Sequence, residues 1–169
     1  LLLTKADLIA GFVEYYDDLD VEGRRAVMGA TLPAEGGAPS IDQFVSAFDR
    51  MVIAQGDRQA KRLFEEVDHV RRSLILGFPA QLAALRNRLA RFIDGAFVSG
   101  DTPTGTLRGF YFTSGVQEGA PLDRILSGVA EVFQSTGVAR GGSGRAYFLN
   151  RLLTEVMFGE AGLVRADPA

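Results

Sequence analysis

Two short stretches carry residue types suited to reading a nucleotide base. Thr4-Lys5-Ala6-Asp7 follows the apolar Leu1-Leu2-Leu3 and fits the pattern [N/T]-K-x-D at a strand end. An aspartate there offers two coplanar acceptors to the N–H donors of guanine, while the lysine stem packs along the ring face. Hydrogen bonds to a charged group are worth about 1.5–3 kcal/mol each, enough to tell one base from another. The same four residues also fit a purely structural reading, a strand end whose Asp7 caps the following helix. The second stretch is T-L-R-G-F-Y-F-T-S-G-V-Q-E-G-A-P-L-D-R, from Thr106 to Arg124. Leu107, Phe110 and Phe112, with Tyr111 among them, make an aromatic run of strand length; Thr113-Ser114-Gly115 breaks it, and Pro121 opens a helix. In α/β proteins the carboxyl ends of such strands are where ligands bind. Small residues at Ser114 and Gly115 let the backbone approach a base. The candidate base-binding residues are therefore Thr4, Lys5, Asp7, Ser114 and Gly115, with Asp7 at the base edge, Lys5 along the ring, and Ser114 and Gly115 closing the pocket.

The phosphate half of such a site is missing from the sequence. G-x-x-x-x-G-K-[S/T] occurs nowhere, and Gly141-Gly142-Ser143-Gly144-Arg145 has no lysine and no preceding strand, which suits a flexible link and helix cap. Phosphoryl transfer is not expected of these residues, and no catalytic residue is assigned. His69, the single histidine, sits in Glu65-Glu66-Val67-Asp68-His69, a mostly solvated helix face, so no metal site is expected. Asp17, Asp18 and Asp20 lack the alternation and glycine of a calcium loop and read as an exposed helix end. Arg86, Arg88 and Arg91 make one helix locally basic, which fits a solvated face or a protein-binding patch. Ser114 has no histidine placed to activate it.

The elements that must position these residues follow from pattern. With 169 residues, 47% of them hydrophobic, the chain can bury a real core, and a net charge of −3 gives no field for nucleic acid. There are no cysteines, which removes disulfides and thiolate chemistry. No run of about 20 apolar residues is present to span a bilayer. The chain opens on an apolar strand without an initiator methionine and reads as a piece of a longer polypeptide. After the first strand, helical spacing predicts a helix over 8–19 and a shorter one from Asp20 carrying Val21, Ala26, Val27 and Met28, before a Gly/Pro loop over 32–39. Ser40-Ile41-Asp42-Gln43 fits a capping box. The long helix it starts, with a weak point at Gly56, is expected to end at Gly77-Phe78-Pro79, with the next helix starting on Pro79 as its antiparallel partner. A polar link over 99–105, the aromatic strand, a helix from Pro121, a glycine-rich link over 137–144 and a last helix over 145–158 complete the reading. The segments are 1–39, the first strand, base-reading turn and helices; 40–104, a helical insertion; 105–136, the second strand and helix; and 137–169, a helical extension.

The chain resembles the IcmF family, the TssM subunits of bacterial type VI secretion. T-K-A-D-L-I-A-G-F with a following D-D-L, L-R-G-F-Y-F-T-S-G-V-Q-E-G-A-P-L-D-R, and R-A-Y-F-L-N-R-L-L-T-E-V-M-F with E-A-G-L carry the resemblance nearly end to end. It implies a fold that is mainly α with a small parallel β element: the C-terminal half of a GTPase-like α/β domain carrying a long helical insertion. It also implies a parent anchored in the inner membrane, with this stretch on the cytoplasmic side, acting as a scaffold beside TssL, TssJ and baseplate components. GTP or ATP with Mg²⁺ is implied for the parent only. The alternative is a working NTPase whose phosphate loop lies upstream of Leu1.

Overall fold

A computed structural model describes residues 1–33, 41–98, 107–115 and 145–158. The described residues are mostly helical, built around a three-stranded sheet. Its middle strand, β3, is the aromatic run Gly109–Phe112, and all four of its residues are buried. On one side β3 pairs in parallel with β1 (Leu2–Leu3), Leu2 opposite Tyr111 and Leu3 opposite Phe112. On the other it pairs antiparallel with β2 (Met28–Thr31), Met28 opposite Phe112 and Thr31 opposite Gly109. The parallel pair is the one expected from sequence. The antiparallel strand corrects that expectation: Met28 does not continue the helix begun at Asp20. The helix α2 covers only Val21–Arg25, capped by Asp20 Oδ1 accepting from Gly23 N–H at 2.7 Å, and the chain then turns into β2. Pairing with β3 overrides local propensity in this stretch.

The helix expected over 8–19 is also shorter. A 3₁₀ turn, Ala6–Leu8, precedes Gly11 at φ 83°, and only then does α1 (Phe12–Tyr16) begin. A side chain at Gly11 would strike the Leu74 carbonyl oxygen, 2.3 Å from the Cβ position, so this glycine lets α1 lie close on the helix carrying Leu74. That helix is α5 (His69–Ala84), which follows α3 (Ile41–Ile53) and α4 (Gln55–Glu65). Ser40 of the expected capping box lies outside the described residues.

The helix boundaries near Pro79 differ from those expected. The break falls at residues 66–68, where Asp68 caps α5 by accepting from Val70 and Arg71 N–H at 2.8 and 3.0 Å. Pro79 lies inside α5. Proline lacks the N–H that would bond the carbonyl four residues earlier, Ile75. Gln59 of α4 fills the gap, its Nε2 donating to the Ile75 and Leu76 carbonyls at 3.4 and 2.8 Å. Contacts of Gln59 with Leu76 and of Glu66 with Arg71 make α4 and α5 an antiparallel hairpin. Beyond it, α6 (Arg86–Ile93) runs into a π-helical turn, Asp94–Val98. The helix expected over 145–158 starts only at Asn150 and is π-helical over Leu152–Met157. The helix expected from Pro121 and the two flexible links lie outside the described residues.

Two groups of aromatic rings lie within one continuous core. Phe44 and Phe48 of α3 pack on Phe110, with ring centroids at 5.0 and 5.7 Å, so α3 covers one face of the sheet. Phe12, Tyr16, Phe78 and Phe148 meet largely edge to face, as in the Phe12–Tyr16 and Tyr16–Phe148 pairs at 5.0 and 4.9 Å. This second cluster joins α1 and α5 to the chain's last described segment.

Candidate nucleotide-base site at the paired strand ends

Because β1 and β3 run in parallel, their carboxyl ends lie side by side. Tyr111 and Thr113 N–H donate to the Leu1 and Leu3 carbonyls at 3.0 and 2.9 Å, and Ala6 N–H donates back to the Thr113 carbonyl at 3.0 Å. That last bond stitches the turn after β1 to the turn after β3. Across it, Ser114 Oγ donates to Asp7 Oδ1 at 2.5 Å. Two residues 107 positions apart thus form one polar pair. The structure brings Asp7 and Ser114 together; Thr4, Lys5 and Gly115 are exposed around them.

Ser114 is itself buried, and its backbone is fully used. Its N–H donates to the Tyr147 carbonyl at 3.0 Å and its carbonyl accepts from Tyr147 N–H at 2.8 Å. A donor offered to a ligand at this turn therefore cannot be the Ser114 amide. Its hydroxyl instead fixes the orientation of Asp7, whose second oxygen has no donor among the described residues. Gly115 is open, with no atom within 4 Å of a Cβ built there. The donor and acceptor chemistry that remains suits a planar partner with N–H groups, such as a base edge.

The backbone around this pair is strained. Lys5, at φ 62°, and Phe148, at φ 59°, are the non-glycine residues with left-handed backbone among those described. Lys5 holds the turn by accepting from Leu8 N–H at 3.0 Å. Phe148 is held by donating its N–H to the Arg24 carbonyl at 2.6 Å, immediately after Tyr147 pairs with Ser114. Such conformations cost on the order of 1–3 kcal/mol and cluster at functional sites. None of the five candidate residues lines the cleft of about 420 Å³ between β2 and α3, or a smaller one of about 230 Å³ bordered by Leu2, Tyr111 and Leu152.

Sequence reasoning missed Tyr147 as the partner of Ser114, although R-A-Y-F marked its surroundings. It also read Asp17, Asp18 and Asp20 as an exposed helix end: Asp18 and Asp20 are exposed, but arginines engage Asp17 and Asp18, and Asp20 caps α2. Arg62 of α4, only 5% exposed, reaches Asp17 at 2.9 Å and the Glu14 carbonyl at 2.9 Å. Arg71 of α5 binds Asp17 and Glu66, Arg58 binds Asp18, and the Arg58 guanidinium lies 5.4 Å from the Tyr16 ring centre. The hydrogen bond from Arg71 holds the Glu66 carboxyl below its ordinary range. The D-D-L sequence is thus a clamp between the end of α1 and the α4–α5 hairpin. Among the described residues no group of three or more histidine, cysteine, aspartate or glutamate side chains could hold a metal ion, and no helix is long and apolar enough to cross a membrane.

Comparison with known proteins gives a family. The IcmF-related N-terminal domain matches residues 1–169. A curated relative, "Type VI secretion system component TssM1" of Pseudomonas aeruginosa, is 41% identical over 175 aligned residues, covering 99% of this chain and 16% of the relative. The chain thus spans about a sixth of that relative's length. No solved structure matches. With the family pattern running through both strand-end turns, the D-D-L clamp and the segment bearing Tyr147, the chain belongs to the IcmF-related N-terminal domain family.

Proposed function

We propose that this chain is a structural module of the type VI protein secretion apparatus, in the cytoplasmic region of an inner-membrane core protein. The carrying observation is the identity with TssM1 over nearly the whole chain. Its partners are other secretion subunits, TssL, TssJ and baseplate components. The finer fold reading is half of a GTPase-like domain with the helices of residues 40–104 as an insertion, and the parallel β1–β3 pair supports it. Within that frame Asp7 reads a nucleotide base, oriented by Ser114, with Lys5 along the ring and Thr4 and Gly115 at the opening. The Asp7–Ser114 bond and the strained Lys5 support that role.

Two experiments separate the levels of this proposal. A TssM1 chimera carrying this chain in place of its equivalent segment is expected to restore secretion and to co-purify with TssL and TssJ. A folded chimera that does neither overturns the scaffold reading. Calorimetry with GTP and ATP on the full-length parent is expected to show a preference for GTP that Asp7→Ala weakens about 10- to 150-fold, the equivalent of 1.5–3 kcal/mol. Binding unchanged by Asp7→Ala would sink base reading and leave the scaffold intact. The parallel strand pair also fits a second reading, an active GTPase or ATPase whose phosphate loop lies upstream. Hydrolysis by the full-length parent that Asp7→Ala slows would favour it.

A further inference from the structure

Met28–Thr31 is an edge strand, and the alternation of its hydrogen bonds decides which peptide groups it has left. Leu32 N–H donates to the Arg108 carbonyl at 2.8 Å. Two and four residues back, Ala30 and Met28 must therefore face Phe110 and Phe112 with their own peptide groups. The other side of β3 agrees, since Tyr111 N–H donates away from β2, to Leu1. Gly29 and Thr31 consequently aim their N–H and C=O groups outward, and no further strand pairs with them among the described residues. An edge of this kind is a template for another strand.

A groove runs beside that edge. Ala47, Arg50 and Met51 on one face of α3, with Ala54 just beyond its end, form one wall of the 420 Å³ cleft, and Met28 and Phe148 contribute apolar surface to it. Its size suits one or two buried side chains. Arg50 is exposed on the rim and pairs with no carboxylate among the described residues. The open peptide groups of the edge, a partly apolar cleft beside Gly29 and an unmatched cation thus lie close together. They call for a ligand with backbone, an apolar side chain and an acid.

We propose that the groove between β2 and α3 takes an extended peptide segment of a partner protein, which adds to β2 as a fourth strand. It seats an apolar side chain in the cleft and sets an Asp or Glu side chain on Arg50. This is recognition by strand addition, in which main-chain bonds supply affinity and the flanking side chains supply specificity. A second copy of this chain fits less well, because Met28–Thr31 and its flanks Ala26, Val27, Leu32 and Pro33 contain no acidic residue to meet Arg50. The groove is separate from the Asp7–Ser114 pair, so its fate does not depend on base reading.

The test is selection of a random decapeptide display library on the full chain, followed by fluorescence polarisation with the enriched peptides made synthetically. Enrichment of alternating apolar sequences carrying an Asp or Glu is expected. Affinity should fall at least tenfold for Arg50→Glu, and for Thr31→Pro but not Thr31→Val: both lose the Thr31 hydroxyl's bond with the Tyr111 hydroxyl, and only the proline also removes the outward N–H. Arg88→Glu, on α6, should leave affinity unchanged. Where Thr31→Pro loses its cooperative thermal transition, peptides N-methylated at alternate amides replace it, and one methylation phase alone should abolish binding. Failure to enrich such sequences, or binding that survives both Arg50→Glu and methylation in either phase, overturns the proposal. So does sedimentation showing that the chain pairs with itself through β2 and that Thr31→Pro separates the copies.

Discussion

Gly29 shows how one backbone position can govern the sheet. Its φ is 150°, and a Cβ built on it would lie 2.1 Å from the Phe110 carbonyl oxygen. Gly29→Ala should therefore destabilise the fold by about 2–4 kcal/mol, combining a strained backbone with a clash against β3. Urea unfolding followed by circular dichroism would measure it, and a midpoint unchanged from the parent would refute the account. Ser114→Ala removes the donor to Asp7 and should cost about 1–2 kcal/mol. The residue scale is also where sequence was most informative about the candidate site. Thr4-Lys5-Ala6-Asp7 and Thr113-Ser114-Gly115 announced strand ends through local residue types. Tyr147 could not be foreseen as Ser114's partner, because a backbone bridge leaves no mark on side-chain pattern.

Among elements, the α4–α5 hairpin shows what periodicity misses. The apolar spacing through Leu63, Val67, Val70 and Leu74 conceals the real break, whereas Asp68 caps a new helix there. Pro79 looked like a terminator because its effect on the chain is normally local. A glutamine from another helix changes that outcome. Gln59→Ala should cost about 1 kcal/mol, and appreciably less in a Pro79→Ala background where the helix regains its own donor. Equal losses in both backgrounds by thermal melts would show that Gln59 does not serve the proline gap. The Arg62 clamp is a second link between elements. Arg62→Met should destabilise by about 1.5–3 kcal/mol, through loss of charge-assisted bonds to Asp17 and the Glu14 carbonyl. Neither link was legible, since each joins residues that only the folded chain brings together.

For the molecule as a whole, the ionisable groups of the α1–α4–α5 junction set the pH limits. Burial is the largest cause raising the Tyr15 hydroxyl to about 12, and it raises Tyr16 as well. Unfolded tyrosines ionise near 10. Above that pH the unfolded chain releases protons that the folded chain retains, so stability is whole below it and declines as pH climbs toward the folded values. Glu66 works in the opposite direction. Its folded value lies below the ordinary 4.5, so its contribution is present above that pH and is lost as acid protonates it. Urea midpoints should therefore fall on both the acid and the alkaline side, with Tyr15→Phe and Tyr16→Phe together flattening the alkaline arm. The family and the mainly helical character were legible from motifs and helical spacing. The mixed sheet was not, because Met28-Gly29-Ala30-Thr31 has a strand's identity only when β3 is beside it.

The order of strands in that sheet constrains how the chain can fold. Among the described residues Leu2 and Leu3 have no strand partner but Tyr111 and Phe112, and β2 must wait for the same strand. Every pairing in the sheet therefore closes a loop tens of residues long or more, a cost in chain entropy that must be met before any of its hydrogen bonds form. The contacts within α3–α6 are comparatively local. Helices should thus gather first and the sheet close last, with Phe110 docking on Phe44 and Phe48 as the step that commits the chain. Stopped-flow refolding should show helical ellipticity recovering ahead of protection at the Tyr111 and Thr113 amides.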